Sequence, residues 1–165
     1  GLRSGPGTAA AVDASTGVLH VAWTDVRRKR GDVVTAHLSP GASRWSHPVR
    51  VGDTRSGHVQ FTPAVAAAGG AVHLLFYDWA GARRGNVMYT QSIDGGATFR
   101  PALRVNSVPF DPRRGVRDFK GRFLADYIGL VATESYAQAL WVDTRSASGN
   151  DVYTARVSAP SARRP

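Results

Sequence analysis

The sequence of 165 residues lacks cysteine altogether and contains two lysines and a single glutamate, Glu134. Without cysteine the chain is not a small scaffold held by disulfides, and a chain of this length can bury one sizeable core instead. No apolar run is long enough to cross a bilayer as a helix. These absences leave a globular domain with its own hydrophobic core as the expected class.

The near absence of lysine makes arginine the source of the net charge of +9, since 21 basic residues less two lysines leaves 19 arginines. Arginine pairs with carboxylates and phosphates through a planar fork, so this charge favours anionic ligands. A genome of biased base composition produces the same enrichment, and that explanation stays open. The basic run 27–30 has no interleaved aromatic residues, so nucleic acid is not an expected partner.

Internal repeats organise most of the chain. Three strand-like segments each end in an aromatic residue, one further residue and an aspartate, and they are 18–25, 71–78 and 136–143. A third strand follows each of them, at 32–36, 86–90 and 151–155. Fourth strands are expected at 48–51 and 102–105, and first strands at 8–12, 62–66 and 127–131. Repetition of this kind predicts similar units that pack side by side.

The turn between the third and fourth strands of the second repeat is segment 92–99, which reads SIDGGATF. An aspartate can fold its carboxylate back onto nearby backbone N–H groups, and glycines allow backbone angles that other residues avoid. We therefore predict a structural turn formed by Ser92, Asp94, Gly96, Thr98 and Phe99. The segment resembles the Asp-box of the sialidase (neuraminidase) β-propellers, known as the bacterial neuraminidase repeat or BNR repeat.

Repeats and resemblance together predict an all-β fold, a partial β-propeller of about three antiparallel four-stranded blades, at residues 6–52, 60–107 and 123–158. The last blade lacks a fourth strand in the sequence. We expect one domain over 1–165 with a disordered tail at 159–165. Propellers close with four to eight blades. Three blades therefore imply a C-terminal fragment of a larger ring, six-bladed by resemblance, whose upstream half is missing and whose open faces favour self-association.

The order of strands in a blade decides which loops share a face. The loop between the second and third strands lies on the same rim as the connection to the next blade, opposite the Asp-box turn. One interpretation is that the charged side chains of this rim bind substrate, and these are Asp25, Arg27, Asp78, Arg83 and Arg145. The other is that each aspartate caps its own loop or pairs with a neighbouring cation, as a repeated structural device.

The dipeptide Asp126-Tyr127 occurs once and follows the long connection 106–126 into the third blade. Long ordered loops are often functional. In one interpretation Asp126 is an acid/base or a ligand contact and Tyr127 is a nucleophile or a stacking wall. In the other, Asp126 caps the strand and Tyr127 packs between blades.

The resemblance implies a specific chemistry. Sialidases use a tyrosine nucleophile activated by a glutamate, an aspartate acid/base, and three arginines that hold the sugar carboxylate. The catalytic candidates here are Tyr127, Asp126 and Asp143. Glu134, however, falls in a loop on the Asp-box side, and the Phe/Tyr-Arg-Ile-Pro motif of the family is absent. Whether the chain is an enzyme therefore stays open.

The expected function is that of a sialidase-like propeller fragment that binds or hydrolyses glycans as an exo-glycosidase, with a glycan or another anionic small ligand as partner. The alternative is a non-catalytic carbohydrate- or protein-binding module. No cofactor is assigned. Asp25, Asp78 and Asp143 could offer oxygen ligands to Ca²⁺, but their spacing is unlike a compact ion-binding loop, so no metal is assigned. We expect a bacterial secreted or cell-surface protein whose signal peptide lies outside this chain.

Overall fold

The computed structural model describes residues 2–3, 7–27, 30–52, 57–81, 84–118, 121–146 and 149–158, so Arg83 and the predicted tail 159–165 lie outside the described residues. Within these residues the strands are β1 (Leu2–Arg3), β2 (Thr8–Val12), β3 (Leu19–Asp25), β4 (Asp32–Leu38), β5 (Val49–Val51), β6 (Val59–Ala68), β7 (Ala71–Trp79), β8 (Gly85–Ser92), β9 (Leu103–Arg104), β10 (Val116–Asp118), β11 (Gly121–Phe123), β12 (Gly129–Ala132), β13 (Tyr136–Asp143) and β14 (Asp151–Ser158). A short 3-10 helix, η1, spans Pro112–Arg114.

The strands form three successive sheets in which chain neighbours pair antiparallel. Blade 1 has the order β2-β3-β4-β5, blade 2 the order β6-β7-β8-β9, and blade 3 the order β12-β13-β14. This up-and-down order, repeated along the chain, is that of a propeller. The fold is an all-β partial β-propeller, as predicted, and blade 3 has three strands among the described residues.

The second strands lie where the repeats predicted them, and β13 matches its predicted range of 136–143 at both ends. The first strands differ more. Strand β6 begins at Val59 rather than residue 62, and β12 begins at Gly129 rather than residue 127. These inner strands are rich in small residues, so their hydrophobic pattern defines their ends poorly.

A bulge lets β6 continue across residues that ordinarily end a strand. Its pairing with β7 shifts register between Phe61 and Ala64. Between them, Thr62 has a positive φ of 50°, and Pro63 has no N–H to donate to the ladder. Extra residues of this kind bend a strand and are common in sheets of tight curvature.

The connection between blades 2 and 3 contains a small sheet that the sequence analysis did not predict. Strands β10 and β11 form an antiparallel pair, and β1 joins β11 in parallel. Strands this short carry too little periodicity to be recognised in a sequence. The small sheet attaches the first described strand of the chain to the connection between blades 2 and 3.

The core lies between the blades, and β7 contributes to it on both faces. Leu74 and Phe76 pack with Val33 of blade 1, while Leu75 packs with Trp141 of blade 3. A strand buried on both sides needs a nearly continuous apolar run, which residues 71–77 provide. Each of these fully buried side chains contributes about 1.5–3 kcal/mol to stability through burial.

Buried polar side chains join each pair of blades. Gln60 is 1% exposed, and its Oε1 accepts the Val33 N–H of blade 1 at 3.1 Å. Between blades 2 and 3, the Tyr77 hydroxyl donates to the Val142 carbonyl at 2.7 Å and accepts the Val142 N–H at 3.2 Å. Burial raises the pKa of Tyr77 well above its ordinary value. Such satisfied buried groups set the angle between blades, because misplacement would leave them unpaired.

The repeated strand histidines are buried, and each lies beside an aromatic ring of the next strand in its own blade. His73 is 0% exposed, and its Nδ1 lies 2.6 Å from the Tyr89 hydroxyl. His20 is also buried, and its ring lies 5.9 Å from the ring of His37. Desolvation lowers the pKa of both His20 and His73.

None of the described segments is a helix with the length and apolar character needed to traverse a membrane.

Candidate functional site

The aspartate corners of blades 1 and 2 lie on one rim. The Gln60 N–H donates to the Gly31 carbonyl at 2.8 Å, which attaches the start of β6 to the loop that follows Asp25. In the β6–β7 ladder, Gln60 lies directly opposite Asp78. The two corners therefore face the same side of the molecule.

The corner of blade 3 joins this rim through the connection between blades 2 and 3. Gly85 and Phe110 exchange backbone hydrogen bonds of 2.7 and 3.0 Å next to the loop of blade 2. The Thr144 hydroxyl donates to the Asp111 carbonyl at 2.6 Å, directly after Asp143. The strand order thus brings the three corners together, as the repeat pattern implies.

In two of these corners the arginine turns back onto its own aspartate. The Arg27 backbone N–H donates to Asp25 Oδ1 at 3.0 Å, and its Nη2 donates to Oδ2 at 2.6 Å. The hydrogen bonds from Arg27 lower the pKa of Asp25 to about 2. Arg145 makes the same contacts with Asp143, its backbone N–H donating at 3.0 Å. In this structure the substrate-binding candidates Arg27 and Arg145 are each paired with the aspartate of their own corner.

The pair in blade 3 is more enclosed than the pair in blade 1. Asp143 is 0% exposed, whereas the Arg27 side chain is 78% exposed. Trp141 Nε1 also donates to Asp143 Oδ2 at 2.8 Å, and the Arg145 guanidinium lies 3.9 Å from the ring centre of Tyr153. The hydrogen bonds to Asp143 raise the pKa of Arg145. Asp143, a catalytic candidate, can therefore meet a substrate only if this corner opens.

A further Asp-x-Arg corner was missed by the sequence analysis. The Arg113 N–H and Nε donate to Asp111 Oδ1 at 3.1 and 3.0 Å, as in the other corners. This corner lies in the connection between blades rather than in a repeated strand. The Asp-x-Arg pattern, which this corner shares with the corners of blades 1 and 3, is the sequence signal that could have revealed it.

The predicted nucleophile and its acidic neighbour lie at the entrance to blade 3. Tyr127 is 85% exposed, and Asp126 is exposed as well. Both precede β12, whereas Glu134 follows the other end of that strand and packs against Gly69. The structure therefore places Tyr127 and Glu134 at opposite ends of one strand and does not bring them together.

Segment 92–99 forms a hydrogen-bonded turn on the opposite rim. The Ser92 hydroxyl donates to Asp94 Oδ1 at 2.6 Å and accepts the Gly96 N–H at 2.8 Å. Asp94 accepts the Thr98 N–H at 2.9 Å and the Thr98 hydroxyl at 2.5 Å. Gly96 has a φ of +91° and faces His20 of blade 1, where a β carbon would lie 3.6 Å from Nδ1. The turn thus closes blade 2 and contacts blade 1.

Replacing Asp94 by alanine is expected to lower the free energy of unfolding by about 1–2 kcal/mol, because the turn loses its acceptor. Its hydrogen bonds to Ser92 and Thr98 hold the pKa of Asp94 at about 2, below the ordinary 3.8. A lowered carboxylate pKa stabilises the fold fully above about pH 4, and this stabilisation is lost as the pH falls towards 2. Urea unfolding of wild type and Asp94→Ala should therefore converge at acid pH, and a gap independent of pH would contradict this.

A groove of about 940 Å³ opens along blade 2 and includes the Asp78 corner. Gly52, which follows β5, is its lining residue from the blade 1 side. Its charged and titratable lining consists of His58, Asp78, Arg84 and Arg104. Its apolar wall consists of Phe76, Met88, Pro101, Ala102 and Pro109. A concave site with an apolar wall and a few convergent polar groups is the usual form of a small-ligand site.

Within the groove, Asp78 holds the imidazole of His58. His58 Nδ1 lies 2.9 Å from Asp78 Oδ1 and 3.1 Å from Oδ2. Asp78 is 3% exposed, while the His58 side chain keeps 20% of its surface exposed. A carboxylate that holds Nδ1 orients the ring and leaves Nε2 for a solute. Across the ladder from Asp78 lies Asn86, whose buried Oδ1 has no partner among the described residues.

The two arginines give the groove a positive balance, because Arg84 and Arg104 outnumber the one carboxylate of Asp78. Both side chains are exposed at the mouth of the groove. Sequence analysis did not select His58 or Arg104, because a single histidine in a connection and an arginine in a short strand carry no pattern. The position of His58 in the rim connection before β6 is the signal that could have found it.

No cluster of three or more acidic or histidine side chains that could hold a metal ion occurs in the described ranges. The carboxylates of Asp25 and Asp143 are already paired with arginine. The corner aspartates therefore do not form a shared calcium site in this structure.

No family model matches the sequence, and no curated protein matches it. Solved structures that share its fold include two glycan hydrolases. The GH93 α-L-arabinofuranosidase of Fusarium graminearum, in complex with arabinobiose, has a TM-score of 0.65 at 13% identity, over 92% of this chain and 44% of its own. The NanB sialidase of Streptococcus pneumoniae has a TM-score of 0.55 at 10% identity, over 88% of this chain and 20% of its own. This chain therefore spans less than half of either structure, and at these identities the likeness shows a shared β-propeller fold alone.

Proposed function

We propose that this chain is part of a sialidase-like propeller that binds an anionic glycan in the groove along blade 2. The observation that carries the proposal is the grouping of Arg84 and Arg104 with the Asp78–His58 pair beside an apolar wall. Guanidinium forks suit a sugar carboxylate, because they donate two parallel hydrogen bonds to it. The carboxylate and imidazole suit sugar hydroxyls, which both donate and accept.

Hydrolysis of the glycan is the catalytic form of this proposal, and it requires the glycan to extend from the groove to blade 3, because none of the catalytic candidates lines the groove. In it, Tyr127 acts as nucleophile, and Asp126 or Asp143 supplies the acid/base. The alternative is a non-catalytic propeller that serves as a carbohydrate- or protein-binding module. The exposure of Tyr127, its separation from Glu134 and the enclosed ion pair of Asp143 favour this alternative for the residues described.

The wider setting of the proposal is a bacterial secreted or cell-surface protein with BNR repeats. The turn at 92–99 uses the hydrogen bonds that an Asp-box would need, which supports this membership. Because propellers close with four to eight blades, we further propose that other blades complete the ring.

The binding proposal is tested with the purified chain and 3′-sialyllactose, with neutral lactose as the reference ligand. Calorimetric titration should show binding of the sialylated sugar alone. Arg104→Ala should weaken it about ten- to hundredfold, since a charge-assisted hydrogen bond contributes about 1.5–3 kcal/mol. Release of a fluorogenic sialoside, measured in parallel, separates hydrolysis from binding.

The matched control is Arg44→Ala, which removes the same charge from an exposed arginine in the connection between β4 and β5 of blade 1. Its affinity should equal that of the wild type. Equal losses in the two variants would point to general charge attraction and would overturn the groove as the site. Failure of the wild type to bind any acidic glycan would overturn the proposed function.

A further inference from the structure

The outward face of blade 3 is not covered by another blade among the described residues and carries a group of exposed apolar side chains. Val131 and Val152 are each 65% exposed, and Leu140 is 49% exposed. A group of large apolar side chains in water is a mark of an interaction surface. Val131, Leu140 and Val152 define the blade 3 face.

The outward face of blade 1 is also open. An apolar recess of about 520 Å³ runs along it, and its lining includes Ala10, Val21 and Trp23. Val12, at the end of β2, is 59% exposed. These four residues define the blade 1 face. Both outward sheet faces are therefore uncovered in the part of the chain that the structure describes.

The repeats show what the blade 1 face does elsewhere in the molecule. Two positions before the corner aspartates stand Trp23, Phe76 and Trp141. Phe76 packs in the core against blade 1, and Trp141 packs in the core against blade 2. In blades 2 and 3, the face that corresponds to the blade 1 face therefore packs against the preceding blade.

The blade 3 face has the opposite counterpart. Three positions before the corner aspartates stand Ala22, Leu75 and Leu140. Ala22 packs in the core with blade 2, and Leu75 packs in the core with blade 3. In blades 1 and 2, the face that corresponds to the blade 3 face therefore packs against the following blade. The two uncovered faces thus correspond to the two different sides of one kind of interface, which occurs between blades 1 and 2 and again between blades 2 and 3.

We infer that a second copy of this chain covers both faces, so that blade 3 of each copy packs on blade 1 of the other. Unlike halves of one interface generate a ring when the rotation closes and an open filament when it does not. Each chain supplies three blades, and propellers close with four to eight. Two copies, with six blades, are the number that fits. This inference rests on the larger ring of the proposed function but not on glycan binding.

The interface inside the chain indicates which residues meet across the junction. Leu75 of blade 2 shares its core with Ala139 of blade 3. By position relative to the corner aspartates, Leu75 corresponds to Leu140 and Ala139 to Val21. Leu140 of one copy should therefore lie beside Val21 of the second copy, at two equivalent junctions.

The first test is the mass of the purified chain in solution at tens of micromolar, by sedimentation and light scattering. We expect twice the 17.6 kDa of one chain. Leu140→Glu should give the single mass, because a carboxylate would be buried at both junctions. The matched control is Ile93→Glu, since Ile93 is 56% exposed but lies in the 92–99 turn, away from both faces. Its mass should equal that of the wild type.

The second test uses the absence of cysteine from the chain. The double variant Val21→Cys, Leu140→Cys should form a covalent dimer with a short bismaleimide, which spans the spacing of two packed sheets, whereas each single variant should not. Circular dichroism of every variant checks that the sheets persist.

A folded wild type with the mass of one chain would overturn the inference and leave an upstream segment as the source of further blades. Open-ended assemblies, equal masses for Leu140→Glu and Ile93→Glu, or absence of the double-cysteine cross-link would overturn it as well. Glycan binding by a single chain would survive these results, so the two proposals fail separately.

Discussion

Replacing Asp143 by alanine is expected to lower the free energy of unfolding by about 3–5 kcal/mol, because it leaves an enclosed cation without its partner. Arg145 and the Trp141 indole N–H both donate to this carboxylate. Asp143 is 0% exposed, so water cannot take its place without opening the corner. Urea unfolding, followed by tryptophan fluorescence, measures the loss.

The control is Asp25→Ala, which breaks the same Asp-x-Arg pair where the Arg27 side chain is 78% exposed. Exposed pairs contribute little because water and salt screen them, so this variant should remain close to the wild type. Asp143→Asn should be intermediate, since an amide oxygen still accepts one hydrogen bond. Equal losses for Asp143→Ala and Asp25→Ala would show that burial does not decide the strength of these corners.

Replacing Gly31 by alanine is expected to cost about 3 kcal/mol of unfolding free energy through overpacking at the junction of blades 1 and 2. A β carbon here would lie 2.3 Å from the Gln60 carbonyl oxygen and 3.1 Å from Thr24 Cγ2. Backbone cannot move aside as a flexible side chain can. The backbone movement needed to relieve this clash would strain two hydrogen bonds, from the Gln60 N–H to the Gly31 carbonyl and from the Val33 N–H to Gln60 Oε1.

Gly129→Ala is the matched control, because its added β carbon would meet Leu140 Cβ at 3.4 Å, an ordinary contact. Its unfolding free energy should change by less than about 1 kcal/mol, in either direction. Chemical denaturation of both variants under the same conditions provides the comparison. A neutral Gly31→Ala would mean that blades 1 and 2 tolerate a change in their spacing.

The blades were predictable from the sequence because their signals are local and repeated. The aromatic-x-Asp endings predicted β3, β7 and β13, and the glycines and aspartate of 92–99 predicted a turn whose hydrogen bonds the structure contains. The first strands were harder to delimit, because small residues and the bulge at Thr62–Pro63 hide their alternation.

The candidate site was predictable only in part. The rim and Asp78 followed from strand order, whereas His58 became visible only when folding placed it beside an aspartate twenty positions away in the chain. Asp25-Val26-Arg27 and Asp143-Thr144-Arg145 read almost alike, yet one pair faces solvent and the other is enclosed by Trp141 and Tyr153.

The sequence by itself determined the strands, their order and the chemistry of each corner, since those depend on residues a few positions apart. The tertiary structure decided which corners are buried, where the groove opens and which sheet faces stay uncovered. Those properties depend on which blade lies next to which, and that arrangement is set by contacts between residues far apart in the chain.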